Sequence, residues 1–337
     1  MNISSNRTKV SLAVGMVLAA ALGFWLGPSI YHRAFADGLP ELLSLAPSDS
    51  TTIFYADLAA LRGTPIMQKL VSSVPPANVD RDYSEFVSAT GFDFQRDLDR
   101  VVLAIRPATQ KTQQQDVVFA QGRFDRQKIG QYALRTGKVE KHNGRDVYIL
   151  PSTTAGKSIY MTFLEGNRLA LSDGGDLSPV LDAMTGKPAS ADPAMQERLS
   201  RISGSPVFAV AQTPAAPANS SAAASNPMNA FQALRWVSIA ARPDGDQVIV
   251  SAEGECNSPN DAVKVSATLQ FLRTLAGAGL AEPQAKQKLS ADQLALAGHV
   301  LDSVQISNDA NRVRLLLTLT PEMMNAATAR APALAAH

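Results

Sequence analysis

"KVEKHNGRDVYILPSTTAGKSIYMTFLEGNRLALSD", residues 138–173, decides the fold. Gly156-Lys157-Ser158 has the ending of a phosphate-binding loop, which would open a helix beside a strand and imply a nucleotide site. The competing reading is a run of strands joined by turns. The first glycine of such a loop would fall at Pro151. Proline fixes φ near about −65° and cannot follow the sharp path around a phosphate. After Ser158 the chain alternates apolar and polar residues, turns at Gly166-Asn167, and alternates again. Asn143-Gly144 favours a tight type I′ turn between "KVEKH" and "RDVYIL". The stretch therefore reads as two β-hairpins, with "PSTTAGKS" as their connection and Lys157 in solvent.

Working outward, a hairpin followed by a helix recurs. "RVVLAIRP" and "DVVFAQGRF" precede the helix "DRQKIGQYALRT"; "SIYMTFLE" and "RLALSD" precede "SPVLDAMTG". "WVSIAARP" and "DQVIVSAEGEC", joined around Asp244-Gly245, precede a long helix from Ser258. "DSVQIS" and "RVRLLLTL" precede "TPEMMNAATA". Ser178-Pro179, Ser258-Pro259 and Thr320-Pro321 each offer a hydroxyl at the N-cap and proline at the next position. Earlier, "TTIFYADL" (51–58) reads as a strand. "TPIMQKLVSSV" and "DYSEFVSATGF" read as helices capped by Thr64 and Asp82. Ala262, Val265, Leu269, Leu272 and Ala276 form one stripe on the long helix, expected to pack on a sheet. The fold class expected is α+β: antiparallel sheets built from ββα units with helices on one face.

Residues 10–31 contain a long uncharged apolar run, preceded by Arg7 and Lys9. About 20 such residues span a bilayer core, and the positive-inside rule keeps the N-terminus cytoplasmic. The expected layout is a cytoplasmic N-terminus (1–9), a transmembrane anchor (10–31) and a spacer (32–50). A first α+β domain follows (51–212), then a low-complexity linker (213–227), a second α+β domain (228–329) and a tail (330–337). The alternative for the N-terminal segment is a signal peptide cut after Ala34-Phe35-Ala36. Either way the bulk of the chain is expected to be extracytoplasmic, at the inner membrane of a bacterial cell.

Lysine plus arginine (31) balances aspartate plus glutamate (30), which argues against a nucleic-acid binder. Cys256 is the only cysteine, so disulfides within the chain and cysteine zinc sites are excluded. It is expected to be a small buried hydrophobe rather than a nucleophile. No lipobox cysteine lies near the N-terminus. The histidines His32, His142, His299 and His337 are widely spaced, with no metal-ligand pair among them. His142 is expected to be exposed beside its turn and His299 half-buried. "DFQRDLDR" (93–100) brings Asp93, Asp97 and Asp99 beside Arg96 and Arg100, and "SDGGD" (172–176) has two aspartates around paired glycines. An ion-paired turn and a turn into a helix are the expected roles; acid–base catalysis is the alternative for the first stretch and a weak calcium loop for the second. No catalytic, cofactor-binding or metal-binding residue is assigned, and no cofactor or nucleotide is expected.

"APSDSTTIFYADLAAL" (46–61) resembles a class of uncharacterised bacterial membrane-anchored proteins. These have an N-terminal span, a Pro-x-Asp-Ser/Thr stretch before a strand, and then hairpin–helix units. The resemblance implies a bacterial envelope protein and carries no catalytic residue. The function expected is a non-enzymatic binding or scaffold protein of the envelope, with another envelope protein, a lipid or a glycan as partner. The alternative is an envelope hydrolase, which requires the carboxylates of 93–99 and 172–176 to meet in one cleft.

Overall fold

The computed structural model describes residues 41–64, 81–109, 113–152, 157–173, 175–185, 192–213 and 227–328. The expected anchor at 10–31, the helix expected over 65–74 and nearly all of the expected linker lie outside these residues. Contacts divide the described chain into two compact units, with the boundary between Ala209 and Val210.

The first unit holds strands β1 (Thr52–Asp57), β2 (Leu98–Arg106), β3 (Gln115–Gly122), β4 (Lys138–His142), β5 (Arg145–Pro151), β6 (Ser158–Leu164) and β7 (Arg168–Asp173). They form an antiparallel sheet in the order β1-β2-β3-β7-β6-β5-β4. Its helices are α1 (Leu58–Leu61), α2 (Arg81–Thr90), α3 (Phe94–Asp97), α4 (Arg126–Thr136), α5 (Ser178–Thr185) and α6 (Pro193–Ile202), with a 3-10 turn at Glu41–Leu45. β8 (Val207–Gln212) carries the unit boundary. The sequence reading did not anticipate α6 or β8.

The stretch 138–173 folds as the hairpin reading requires. Asn143 (φ 50°) with Gly144 (φ 78°), and Gly166 (φ 66°) with Asn167 (φ 55°), make the two left-handed turns. A strand, not a helix, starts at Ser158, paired with Pro151, and Lys157 is exposed. A phosphate loop needs a helix there, so the Gly-Lys-Ser motif is a strand connection.

Helices on one face was the expectation; this sheet is covered on both. On one face, Val101, Ala120, Met161 and Leu169 pack with Ile129 and Ala133 of α4 and the rings of Phe86 and Phe92. The other face carries Phe119, Thr162 and Ala170, all completely buried. Over it lie the Glu41–Leu45 turn and the α5 segment. Arg168 pairs with Glu41, Gln115 donates to the Asp176 carbonyl, and His142 contacts Asp182. Five of the six residues of β1 are buried, because covering both faces removes the need for alternation.

The caps divide. Asp57, Asp93 and Asp125 accept from the first-turn amides of α1, α3 and α4. Asp82 lies inside α2 rather than at its cap. Ser178 is already helical: Leu181 N–H bonds the carbonyl of Leu177, and Asp176 accepts from Ser178 N–H. α5 therefore begins a residue earlier than the Ser-Pro signature suggested, and proline remains tolerated because first-turn amides have no helical partner.

The second unit holds β9 (Leu234–Asp244), β10 (Gln247–Cys256), β11 (Gln305–Asp309) and β12 (Arg312–Leu319), antiparallel in the order β11-β12-β10-β9. A 3-10 segment (Pro227–Ala233) and the helices α7 (Pro259–Ala281), α8 (Pro283–Lys288), α9 (Ala291–Ser303) and α10 (Pro321–Thr328) complete it. Ser258 caps α7 through its side chain, with Pro259 next, and the Thr320 hydroxyl and carbonyl accept at the start of α10. The stripe on α7 is buried at Ala262 and Val265, which pack with Cys256, Val313 and Leu269. It then departs from expectation: Leu272 is half-buried and Ala276 exposed. α7 also contacts α8 and α9, and α9 has no fully buried residue. His299, on α9, is exposed rather than half-buried.

Ala310 sits at φ 48° in the β11–β12 turn. A Cβ there costs about 1–2 kcal/mol, so Ala310→Gly is expected to stabilise the second unit by about 0.5 kcal/mol after the entropy of glycine is counted. A thermal melt that is unchanged or lowered would show the turn to be unstrained.

Candidate functional site

The carboxylates first in question sit at the start of β2. Asp93 accepts from Gln95 N–H at 3.0 Å and caps α3. Asp97 is buried and takes the Asp93 N–H at 3.0 Å, Arg96 at 2.6 Å and Arg123 at 3.4 Å. Asp99 pairs with Arg62 at 3.3 Å. The hydrogen-bonded Arg96 guanidinium holds Asp97 below the usual carboxylate range. Nearby, burial pushes the Tyr83 phenol up to about 12. The group is a structural corner, with Asp97 and Asp99 paired to arginines and Asp93 capping α3.

The other carboxylates lie at the opposite end of the sheet. Asp173 stands across from Asp116, while Leu98 stands across from Gly122. Six residues of β3 separate the two ends, about 20 Å at strand rise. Asp173 accepts from the Ser152 hydroxyl and Asp176 from Ser178 N–H. The two carboxylate groups thus share no cleft. Among the described residues no cluster of His, Cys, Asp and Glu fits a metal ion. Cys256 is buried, and burial pushes its thiol up, away from the reactive thiolate. His142, expected in solvent, is half-buried, with Nε2 2.7 Å from an Asp182 oxygen. The Asp182 carboxyl is held low by that hydrogen bond.

Asp97 gives a pH prediction. Its pKa is lower folded than unfolded, so its stabilisation is present above the unfolded pKa and is lost as pH falls through the folded value. Asp97→Asn should therefore lower the melting temperature at neutral pH and flatten its decline below about pH 4. An undiminished acid decline in the variant would place that sensitivity elsewhere.

The second unit presents the surface best suited to binding. One face of its sheet carries Val248, Val313 and Leu319, all buried, with Val313 in the cluster under α7. The register puts Ser251, Leu316 and Gln305 in one row of the opposite face, and Glu253, Arg314 and Ser307 in the next. Ser251, Gln305, Arg314 and Ser307 are exposed. Glu253, with its side chain 17% exposed, is held between Arg314 at 3.0 Å and Arg312 at 3.7 Å. This face offers hydroxyl and amide groups and a carboxylate matched by two guanidinium groups. Sequence reasoning missed it, although charges at alternate positions of "SAEGE" and "RVR" placed them on one side of their strands.

The described chain is thus an α+β protein built on large antiparallel sheets. No family model matches it, and no curated protein matches it. Among solved structures it is similar to crystal form III of TP0453 at 10% identity and a TM-score of 0.48, covering 88% of this chain and 99% of that one. Crystal form IV of TP0453 matches at 11% identity and a TM-score of 0.45, covering 85% and 96%.

Proposed function

We propose that this chain is a non-enzymatic, membrane-anchored protein of the bacterial envelope that binds another envelope protein through the exposed part of one sheet face of its second unit, on β10, β12 and β11. The observation that carries the reading is the polar character of that face. Exposed Ser251, Ser307 and Arg314 surround the Glu253–Arg312–Arg314 group. A lipid or other small apolar ligand requires a concave apolar lining, whereas matched surface charges suit a protein partner. The apolar run at 10–31 with its basic flank supports an anchor whose bulk lies outside the cytoplasm. Among the described residues no helix is long and apolar enough to cross a membrane.

Site-specific photo-crosslinking from position 307 in intact cells, read by mass spectrometry, tests the reading. The expected result is one discrete envelope protein, lost in Arg314→Glu while the melting temperature holds. Recovery of no partner, together with a small molecule bound to the purified protein, would overturn the scaffold reading. Recovery of the protein in the cytosolic fraction would overturn the compartment.

A further inference from the structure

We propose that the outer edge of β4 is a self-association site, at which a second copy of this chain adds its own β4 antiparallel about a two-fold axis at Val139. The site lies in a different unit from the face proposed above and stands without it.

β4 is the last strand of its sheet, and among the described residues nothing pairs with its outer edge. The Asn143-Gly144 turn sets His142 opposite Arg145. In a hairpin with a two-residue turn the flanking residues exchange both backbone hydrogen bonds, and the pattern alternates along the strand. Lys138, Glu140 and His142 therefore bond inward to β5, while Val139 and Lys141 turn N–H and C=O outward. Such an edge is a template for another strand. Exposed side chains mark the same place. Leu134 and Val139, 49% and 41% exposed, are the exposed large apolar residues of the first unit among those described. Val139 stands opposite Tyr148, whose hydroxyl lies against Gly130 of α4. Leu134 follows Gly130 by one turn on the same side of α4, which packs against β4 and β5. The two residues thus form one apolar step along the edge.

Charge complementarity within "KVEKH" selects a second copy as the occupant. When Val139 stands opposite its own counterpart, the outward N–H and C=O of each copy bond those of the other. Lys138 then stands opposite Glu140 of the partner subunit, and Glu140 opposite Lys138 of the partner subunit. These are the non-hydrogen-bonded positions, where opposed side chains approach closest. Lys138 and Glu140 are both well exposed, at 68% and 58%, and already meet at 2.6 Å within one chain. Pairing of two copies therefore makes an alternating group of four charges. Lys141 falls opposite Gly137 of the partner subunit, so no like charges meet. A register centred on Glu140 would set that acid against itself and turn inward-bonded backbone toward the partner. The Val139 side chains join across the axis on the α4 side of the sheet, with Leu134 of each copy beside them. A five-residue edge buries less than the about 800 Å² per partner of a stable interface, so the dimer is a weak one.

Sedimentation velocity of the full chain in detergent tests the site. A monomer–dimer equilibrium is expected, with a Kd of about 10–100 μM. Val139→Pro removes the outward N–H and leaves the β4–β5 ladder intact, which proline permits at a sheet edge. It should abolish the dimer with the melting temperature unchanged. Lys138→Glu and Glu140→Lys should each weaken association about tenfold by setting like charges opposite one another. The double exchange should restore it. A chain that stays monomeric at about 200 μM would overturn the proposal and leave the edge to a foreign strand. A dimer that Val139→Pro and both single exchanges leave unchanged would also overturn it, by placing association at another surface or in shared micelles. Crosslinking from position 307 reads the second unit's face separately, and Val139→Pro should leave its product intact.

Discussion

Asp57→Ala is expected to cost the first unit about 3 kcal/mol. The carboxylate at the end of β1 is only 2% exposed and meets three needs. It accepts the Ala60 N–H at 2.9 Å and caps α1, it takes Arg100 Nε at 2.9 Å, and it lies 3.4 Å from the Tyr55 hydroxyl. Truncation leaves the Ala60 amide without this acceptor and removes the carboxylate that stands beside the buried Tyr55 hydroxyl. Arg100, at 42% exposure, recovers part of its solvation, which keeps the loss below that of a fully enclosed pair. The Asp57 carboxylate holds the Arg100 guanidinium above its ordinary value. Asp57→Asn retains an acceptor for the cap and should lose less. Hydrogen exchange over β1 and β2 reads the effect locally. Equal protection in Asp57→Ala and the parent would remove this network from the account of stability.

Gly122→Ala is the second large effect, expected at about 3 kcal/mol. A Cβ at this position would lie 2.3 Å from the carbonyl oxygen of Asp97 and 3.1 Å from the Leu98 Cα. Both are backbone atoms, so no side-chain rotation relieves the overlap. The same carbonyl accepts Arg123 N–H at 2.8 Å, and Leu98 is paired with Gly122 at a register shift between the strands. Moving β3 away would loosen this corner, including the Asp97 ion pairs. Gly204→Ala, where a Cβ meets nothing within 4 Å, is the control. A denaturation midpoint for Gly122→Ala equal to that of Gly204→Ala would show that the close approach yields easily.

The legible part of the fold was local. Alternation in "SIYMTFLE" and "RLALSD", with Asn143-Gly144 and Gly166-Asn167 between the runs, specified hairpins because side-chain direction and left-handed turns depend on adjacent residues. Ser258 marked a helix start for the same reason: a cap bonds amides two or three residues away. The Leu272–Ala276 end of the α7 stripe misled because apolar periodicity does not say where a sheet ends. The Ser178 cap misled because a hydroxyl before proline suits the position one residue inside a helix as well.

The candidate sites were less legible. The acids around Asp97 were read as an ion-paired turn and are one, since Arg96 and Arg123 lie close along the chain. The pairing of Arg168 with Glu41 and of His142 with Asp182 left no mark in the sequence, because the partners lie 127 and 40 residues apart. Likewise Glu253 and Arg314 are 61 residues apart until β10 and β12 pair.

By itself the sequence determined most of the strands and of their turns, the α+β class and the loss of the phosphate-loop reading at Pro151. These follow from steric preferences that act within a few residues. Tertiary structure alone decided that both faces of the first sheet are covered, that the two carboxylate groups stand at opposite ends of β3, and which acids meet Arg168 and His142. Those outcomes depend on strand order and register. Both are set by the collective burial of residues far apart in the chain, such as Phe119, Thr162 and Ala170.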